Sequence, residues 1–204
     1  PQTDGWQPLA KMSTARCALG LVAVGGKIYA IGGIDGNNLA LESIEAYDPQ
    51  LDAWALVASM SAKRKGHASV VLDGKIYTMG GHADGPGLDT VEVYDPQADS
   101  WQWVASMPRG LCYHAAAAMG GKIYVTGGTN RGAPVSSVSV YDPQADAWTQ
   151  LASMGTARRL HASAVVDGKL YVFGGRDANK RLSTAEVYDP ALDSWAQVSN
   201  LAST

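Results

Sequence analysis

Three arginines recur at one place in a repeating frame. Arg16, Arg64 and Arg158 each stand 13 residues before the tyrosine of a Lys-Ile-Tyr or Lys-Leu-Tyr run, and Leu111 takes the fourth such place. The next position holds Cys17, Lys65, Cys112 and Arg159. A guanidinium fork binds carboxylates through two parallel hydrogen bonds, so such a set could grip an acidic ligand. The same fork could instead cap turns or pair with acids of a neighbouring unit. Three residues beyond the arginine position come His67, His114 and His161, with Leu19 in the first unit. Three imidazoles facing one axis could hold a metal ion. No carboxylate recurs beside them in a ligand-like way, so the expectation is that each bonds a backbone carbonyl and that no metal is held.

A second variable set follows each glycine doublet: Ile34-Asp35, His82-Ala83, Thr129-Asn130 and Arg176-Asp177. Variable residues on a repeated frame are where a specific ligand would be read. The candidate ligand-binding residues are therefore Arg16, Arg64, Arg158, Arg159, Ile34, His82, Thr129 and Arg176. Glu42, Glu92 and Glu186 recur near the third run of their units and read as surface charge. Cys17 and Cys112 are equivalent positions two units apart, too far for a disulfide, and are expected as free thiols. No phosphate loop and no nucleophile elbow is present, so no catalytic residue and no cofactor is assigned.

The elements that must position these residues come in a strict repeat. Tyr-Asp-Pro recurs at Tyr47, Tyr94, Tyr141 and Tyr188, and Trp54, Trp101, Trp148 and Trp195 keep the same 47-residue step. The doublets Gly32-Gly33, Gly80-Gly81, Gly127-Gly128 and Gly174-Gly175 step by 48, 47 and 47. Each unit holds four strand-like runs. In the second unit, residues 67–72 are small and β-branched, Asp73-Gly74 is a two-residue hairpin turn, and 75–79 form a second run. Residues 90–94 alternate with period two, Asp95-Pro96 stops them, and 100–104 carry Trp101. No helical period is sustained. Four short strands joined by turns make an antiparallel meander, and one such sheet cannot bury both faces alone. Radial stacking of the units does, and it makes a β-propeller.

The pattern of an apolar strand, a glycine doublet and a spaced Tyr and Trp resembles the kelch repeat family over about residues 15–199. In the first unit it reads Lys-Ile-Tyr-Ala-Ile-Gly-Gly, then Ala-Tyr-Asp-Pro, then Asp-Ala-Trp. The units are most similar to those of substrate-recruiting kelch adaptors, without the BTB domain those adaptors carry. The resemblance implies a propeller whose entry arginines grip acidic peptide carboxylates. The expected organisation is all-β, a single domain over 1–204 with kelch-type blades at about 15–58, 62–105, 109–152 and 156–199. Residues 4–12 are a spare fourth-strand element, because Trp6-Gln-Pro-Leu-Ala-Lys-Met12 parallels Trp54 to Met60. Four blades are few for a ring. The chain is thus a closed four-bladed ring, a fragment or half of a larger one, or a partner in a ring shared by two copies. It opens on Pro1, which predicts a trimmed piece.

Composition narrows the partners. Lys+Arg number 16 against Asp+Glu 19, a net charge of −3, so the chain lacks the basic excess of a nucleic-acid binder. No 18-residue apolar run predicts a membrane span. Two cysteines are too few for a disulfide framework. The compartment stays open, with the cytoplasm favoured. The leading expectation is a non-catalytic scaffold that binds a protein or peptide, acidic in character, through loops around the propeller axis, with self-association through ring completion or edge strands. The alternatives are a carbohydrate-related enzyme or sugar-binding propeller, and a designed or recently amplified repeat module with no ligand.

Overall fold

The structure is a computed structural model and describes residues 5–198. Its strands form four four-stranded antiparallel sheets and one short hairpin, with no helix among the described residues. Blade 1 is β1 (Gly20–Val24), β2 (Lys27–Ile31), β3 (Ile44–Asp48) and β4 (Ala53–Val57). Blade 2 is β5 (Ala68–Leu72), β6 (Lys75–Met79), β7 (Val91–Asp95) and β8 (Ser100–Val104). Blade 3 is β9 (Ala115–Met119), β10 (Lys122–Thr126), β13 (Val138–Asp142) and β14 (Ala147–Leu151). Between its second and third strands lies the extra hairpin β11 (Thr129–Asn130) and β12 (Ala133–Pro134). Blade 4 is β15 (Ala162–Val166), β16 (Lys169–Phe173), β17 (Ala185–Asp189) and β18 (Ser194–Val198). The sequence units 156–199 and 4–12 each reach one residue beyond the described range.

The turns explain the spacing. Asp73 and Gly74 have φ of 50° and 75°, the two left-handed residues that a tight hairpin needs. A positive φ at Gly32 is accompanied by close packing. A Cβ there would lie 2.7 Å from the Arg64 carbonyl oxygen and 3.0 Å from the His67 ring.

The core lies between blades. One cluster joins Tyr29, Ile31 and Ile44 of blade 1 to Ile76 and Tyr94 of blade 2. Another joins Tyr77, Met79 and Val93 of blade 2 to Ile123 and Tyr141 of blade 3. A third joins Tyr124 and Val140 of blade 3 to Leu170 and Tyr188 of blade 4. The same aromatic contact repeats at each joint: Tyr29–Tyr94, Tyr77–Tyr141 and Tyr124–Tyr188 have ring centroids 5.9, 6.0 and 6.1 Å apart.

A clamp closes the outer edge. Asp99 Oδ1 accepts the Tyr94 hydroxyl at 2.6 Å and the Ala58 N–H at 2.8 Å, while the Trp101 indole donates to the Ala58 carbonyl at 2.8 Å. Thus the Tyr, Asp and Trp of one blade grip the residue that follows the fourth strand of the blade before. Trp148 and Trp195 repeat the grip on Ala105 and Ala152.

The expected spare fourth strand is not a strand. Residues 5–12 carry no ladder, and Trp6 is fully exposed. A fourth strand pairs with a third strand, and none stands beside this segment among the described residues. The segment still fills the clamp of blade 1. The Trp54 indole donates to the Ala10 carbonyl at 2.9 Å, and the Ala10 N–H reaches Asp52 at 2.9 Å.

Among the described residues the four blades do not close on themselves. The innermost strands stand in a row, β1 on β5, β5 on β9, β9 on β15, and no comparable packing returns β15 to β1.

Candidate binding face

Antiparallel order gives each blade two unlike ends. The β1–β2 and β3–β4 turns and their equivalents lie at one end. The β2–β3 loops and the links between blades lie at the other.

The turn end is uniform. Lys27–Asp48, Lys75–Asp95, Lys122–Asp142 and Lys169–Asp189 repeat one half-exposed ion pair at 3.4, 3.2, 2.9 and 2.8 Å. Such pairs contribute about 0–1 kcal/mol each.

The loop end varies, and it brings two of the predicted sets side by side. Cys17 pairs with Ile34, Lys65 with His82, Cys112 with Thr129 and Arg159 with Arg176, each as an antiparallel bridge. Both backbone bonds form in every pair; Arg159 N donates to Arg176 O at 3.0 Å and Arg176 N to Arg159 O at 2.9 Å. Blades 1, 2 and 4 therefore present an apolar pair, a cationic–imidazole pair and a doubly cationic pair at one register, while the blade 3 pair, Cys112 and Thr129, is buried, so the expected ligand contact at Thr129 is corrected to framework. Lys65 reaches only the exposed Asp84, at 3.5 Å. Neither Arg159 nor Arg176 forms a salt bridge among the described residues. His82 Nε2 lies 3.0 Å from the Tyr113 hydroxyl, which ties this face of blade 2 to blade 3.

The entry arginines are not part of this face. The side chains of Arg16, Arg64 and Arg158 have no solvent exposure and pair with Glu45, Glu92 and Glu186 at 2.7, 2.9 and 2.6 Å. Arg64 also donates to the carbonyls of Gly80 and Thr90 at 2.8 and 3.0 Å and to the Thr90 hydroxyl at 2.9 Å. Glu92 returns its second oxygen to the Ser61 N–H at 2.7 Å. Each arginine thus fastens the link before a blade to that blade's second and third strands. A partner's carboxylate would have to displace a buried one, so the expected role as ligand contacts is corrected to framework. The glutamates are corrected with them: Glu92 and Glu186 are buried, and their first-blade equivalent is Glu45, not the exposed Glu42.

Burial tends to raise the Glu45 carboxyl, but N–H bonds from Ser13 and Thr14 and the Arg16 guanidinium hold it below its usual range. Blade 3 has Leu111 at the arginine position and Ser139 at the glutamate position, so both partners change together.

The histidines line the axial mouth. Ala18, Leu19, Gly66, His67, Tyr113 and Leu160 border it together with His114 and His161, around about 280 Å³. His67 and His114 are buried, and their rings lie beside the carbonyls of Arg64, Ile31 and Met79. These carbonyls are the expected partners of the ring N–H groups, though none of the contacts has full hydrogen-bond geometry. His161 Nε2 instead lies 2.9 Å from the Thr126 hydroxyl. Burial, with the Arg64 charge second, pushes His67 down to about 3 and His114 to about 4; burial and the Arg158 charge push His161 to about 3. All three are neutral near pH 7. Among the described residues no group of three His, Cys, Asp or Glu side chains is placed to hold a metal ion. Cys17 is exposed and Cys112 buried, and both are free.

Comparison with known proteins agrees with this frame. The family model described as Attractin/LZTR1 beta-propeller matches residues 2–203. The chain belongs to that family. Human Kelch-like protein 33 is 45% identical over 49 residues, which are 24% of this chain and 9% of that protein. A solved structure, "Structure of YjhT", superposes with a TM-score of 0.81 at 18% identity, over 96% of this chain and 69% of that one. At that identity the likeness is one of fold alone. The family's blades are kelch-type, and propellers of this type commonly serve as protein-interaction scaffolds. Within the family frame, the side-by-side pairing of entry and post-doublet residues is what sequence reasoning missed; their constant separation of 17 residues was the available signal.

Proposed function

We propose that this propeller is a non-catalytic scaffold that captures a protein or peptide on its loop end, and that an acidic stretch of the partner meets blades 2 and 4. The observation that carries this reading is the contrast between the two ends. The turn end repeats one ion pair four times, while the loop end places a different residue pair on each blade at one register. Arg159 and Arg176 sit side by side on blade 4, neither in a salt bridge among the described residues, and Lys65 adds a cation on blade 2. Arginine forks suit bidentate capture of carboxylates, and an interface needs such anchors on a rigid frame.

The test is binding to an array of peptides graded from acidic to basic. The double variant Arg159→Glu, Arg176→Glu is compared with Lys75→Glu at the opposite end. The reading expects acidic peptides to be retained by the parent and by Lys75→Glu, and lost at least about tenfold by the double variant. Equal retention by all three proteins, or turnover of a sugar by the parent, would overturn it.

A further inference from the structure

We propose that the loop-end cleft between blades 2 and 3 binds a phosphate monoester, held between Arg109 and Arg131. The joint is an internal one, so both walls of the cleft belong to described blades.

The site begins with a change in the frame. In blades 1, 2 and 4 a buried glutamate accepts the N–H of Ser13, Ser61 or Gly155 and the guanidinium of Arg16, Arg64 or Arg158. In blade 3 every member of that set is different. Pro108 has no N–H to give, Leu111 has no charge, and Ser139 stands where the carboxylate would be. The link into blade 3 is held another way. Asn130 Nδ2 donates to the Gly110 carbonyl at 2.8 Å. Gly110, which replaces Ala15, Lys63 and Ala157 of the other links, lies so close to Gly87 that a Cβ on it would overlap the Gly87 carbonyl oxygen. A cation reappears on this link, but outside. Arg109 is exposed, at the place where the other links carry Thr14, Ala62 and Thr156.

The second arginine comes from the β11–β12 hairpin, which no other blade carries among the described residues. Arg131 and Gly132 form its tip, with φ of 48° and 87°, the two left-handed residues of a tight turn. Arg109 and Arg131 line one cleft of about 410 Å³ together with Pro86, Pro108 and Asn130. Arg109 also borders an adjoining cleft of about 490 Å³, beside Ser136, Ser137, Gln150 and Ser153. No carboxylate lines either cleft, and neither arginine forms a salt bridge among the described residues.

Two guanidinium groups on one cleft repel each other, and a dianion relieves both. A phosphate monoester carries a charge of about −1.5 to −2 at pH 7 and three acceptor oxygens, enough to serve two forks at once. A carboxylate has one charge and two oxygens, which a single fork already satisfies. The hydroxyls and the amide beyond Arg109 suit the group that carries the phosphate. The cleft shares no residue with the Arg159–Arg176 and Lys65–His82 pairs, so it stands independently of the acidic contact proposed above.

Titration of methyl phosphate against the whole chain, followed by phosphorus NMR, tests this. A saturable shift of the phosphorus line is expected, and an equimolar amount of acetate is expected to leave it in place. Arg109→Ala and Arg131→Asn are each expected to weaken binding at least about tenfold. Asparagine is chosen at 131 because it tolerates the left-handed turn. Both positions are exposed, and circular dichroism with a thermal midpoint checks that both variants remain folded. The double variant Arg159→Ala, Arg176→Ala on blade 4 is expected to bind methyl phosphate as the parent does. A phosphoserine peptide that binds more tightly than methyl phosphate identifies a protein as the source of the phosphate, and no gain over methyl phosphate identifies a free one. The absence of a saturable shift, displacement by equimolar acetate, undiminished binding by either cleft variant, or an equal loss in the blade 4 variant would each overturn the proposal.

Discussion

Leu111 and Ser139 in blade 3 stand where Arg64 and Glu92 form a sealed ion pair in blade 2, with Arg64 Nη2 2.9 Å from Glu92 Oε1. A buried pair is strongly destabilising to break but close to neutral to replace whole, because removal of one partner leaves the other's charge without water or a counterion. Arg64→Leu alone is therefore expected to cost about 3–5 kcal/mol, and Glu92→Ser a similar amount. The double change, which transplants the blade 3 arrangement, is expected to recover most of that loss. Urea unfolding of the four proteins in a double-mutant cycle reads the coupling directly. Additive losses would show that the pair does not act as a unit.

The frame of the molecule was readable because each landmark has a local or nearest-blade job. The glycine doublet meets the next blade's entry loop, and the Tyr–Asp–Trp set clamps the blade before, so their spacing cannot drift. The arginines were misread because their partners lie 28 or 29 residues away on the third strand, a separation that no single motif contains. Alignment on the tyrosine of Tyr-Asp-Pro would have selected Glu45 over Glu42 and exposed the joint loss at Leu111 and Ser139. The end blades were illegible for another reason. Tyr171 and Tyr77 hold the same place in the repeat, and what separates them is that Tyr77 meets Tyr141 of the next blade while no next blade stands beside Tyr171 among the described residues.

The outer clamp predicts a graded series at Asp99. This carboxylate accepts from Tyr94 and from the Ala58 N–H of the preceding blade. Those bonds hold its pKa below the usual carboxylate range, and burial plus the Asp99 bond push the Tyr94 hydroxyl up. Asp99→Asn keeps an acceptor, whereas Asp99→Ala leaves two donors unpaired. The alanine variant is expected to lose about 1–3 kcal/mol and the asparagine variant less, as read from thermal midpoints. Equal losses would mean that the side chain acts through packing and not through its oxygens.

Stability should fall with pH in two steps. His67, His114 and His161 are held neutral in the fold, at about 3, 4 and 3, against an ordinary value of 6.5. The unfolded chain takes up protons first, so their contribution is complete above pH 6.5 and declines as pH drops toward the folded values. The slope is about 1.4 kcal/mol per pH unit for each fully protonating histidine. Glu45 is held low, so its contribution is present above its ordinary 4.5 and is lost only below that. Urea midpoints between pH 8 and pH 5 should therefore decline before any carboxylate titrates. His161→Gln should flatten that decline by one histidine's share. A flat profile down to pH 5 would show that the rings are solvated.

The two thiols should separate by rate. Cys17 and Cys112 occupy equivalent positions, each bridged to the residue after its glycine doublet. Cys17 is exposed, while Cys112 is 9% exposed and its Sγ points at the Thr129 carbonyl at 3.9 Å. Burial raises the Cys112 pKa, and the Arg159 charge offsets only part of the rise. Thiolate is the reactive form, so Cys112 is slowed both by access and by a smaller thiolate fraction, and a difference of at least about tenfold is expected. Reaction with a chromogenic disulfide should release one equivalent quickly and a second slowly, and both quickly in denaturant. Cys17→Ser should remove the fast phase alone. Two fast equivalents from the native protein would mean that the loop end of blade 3 opens on the timescale of the reaction, which would weaken its standing as part of a rigid binding face.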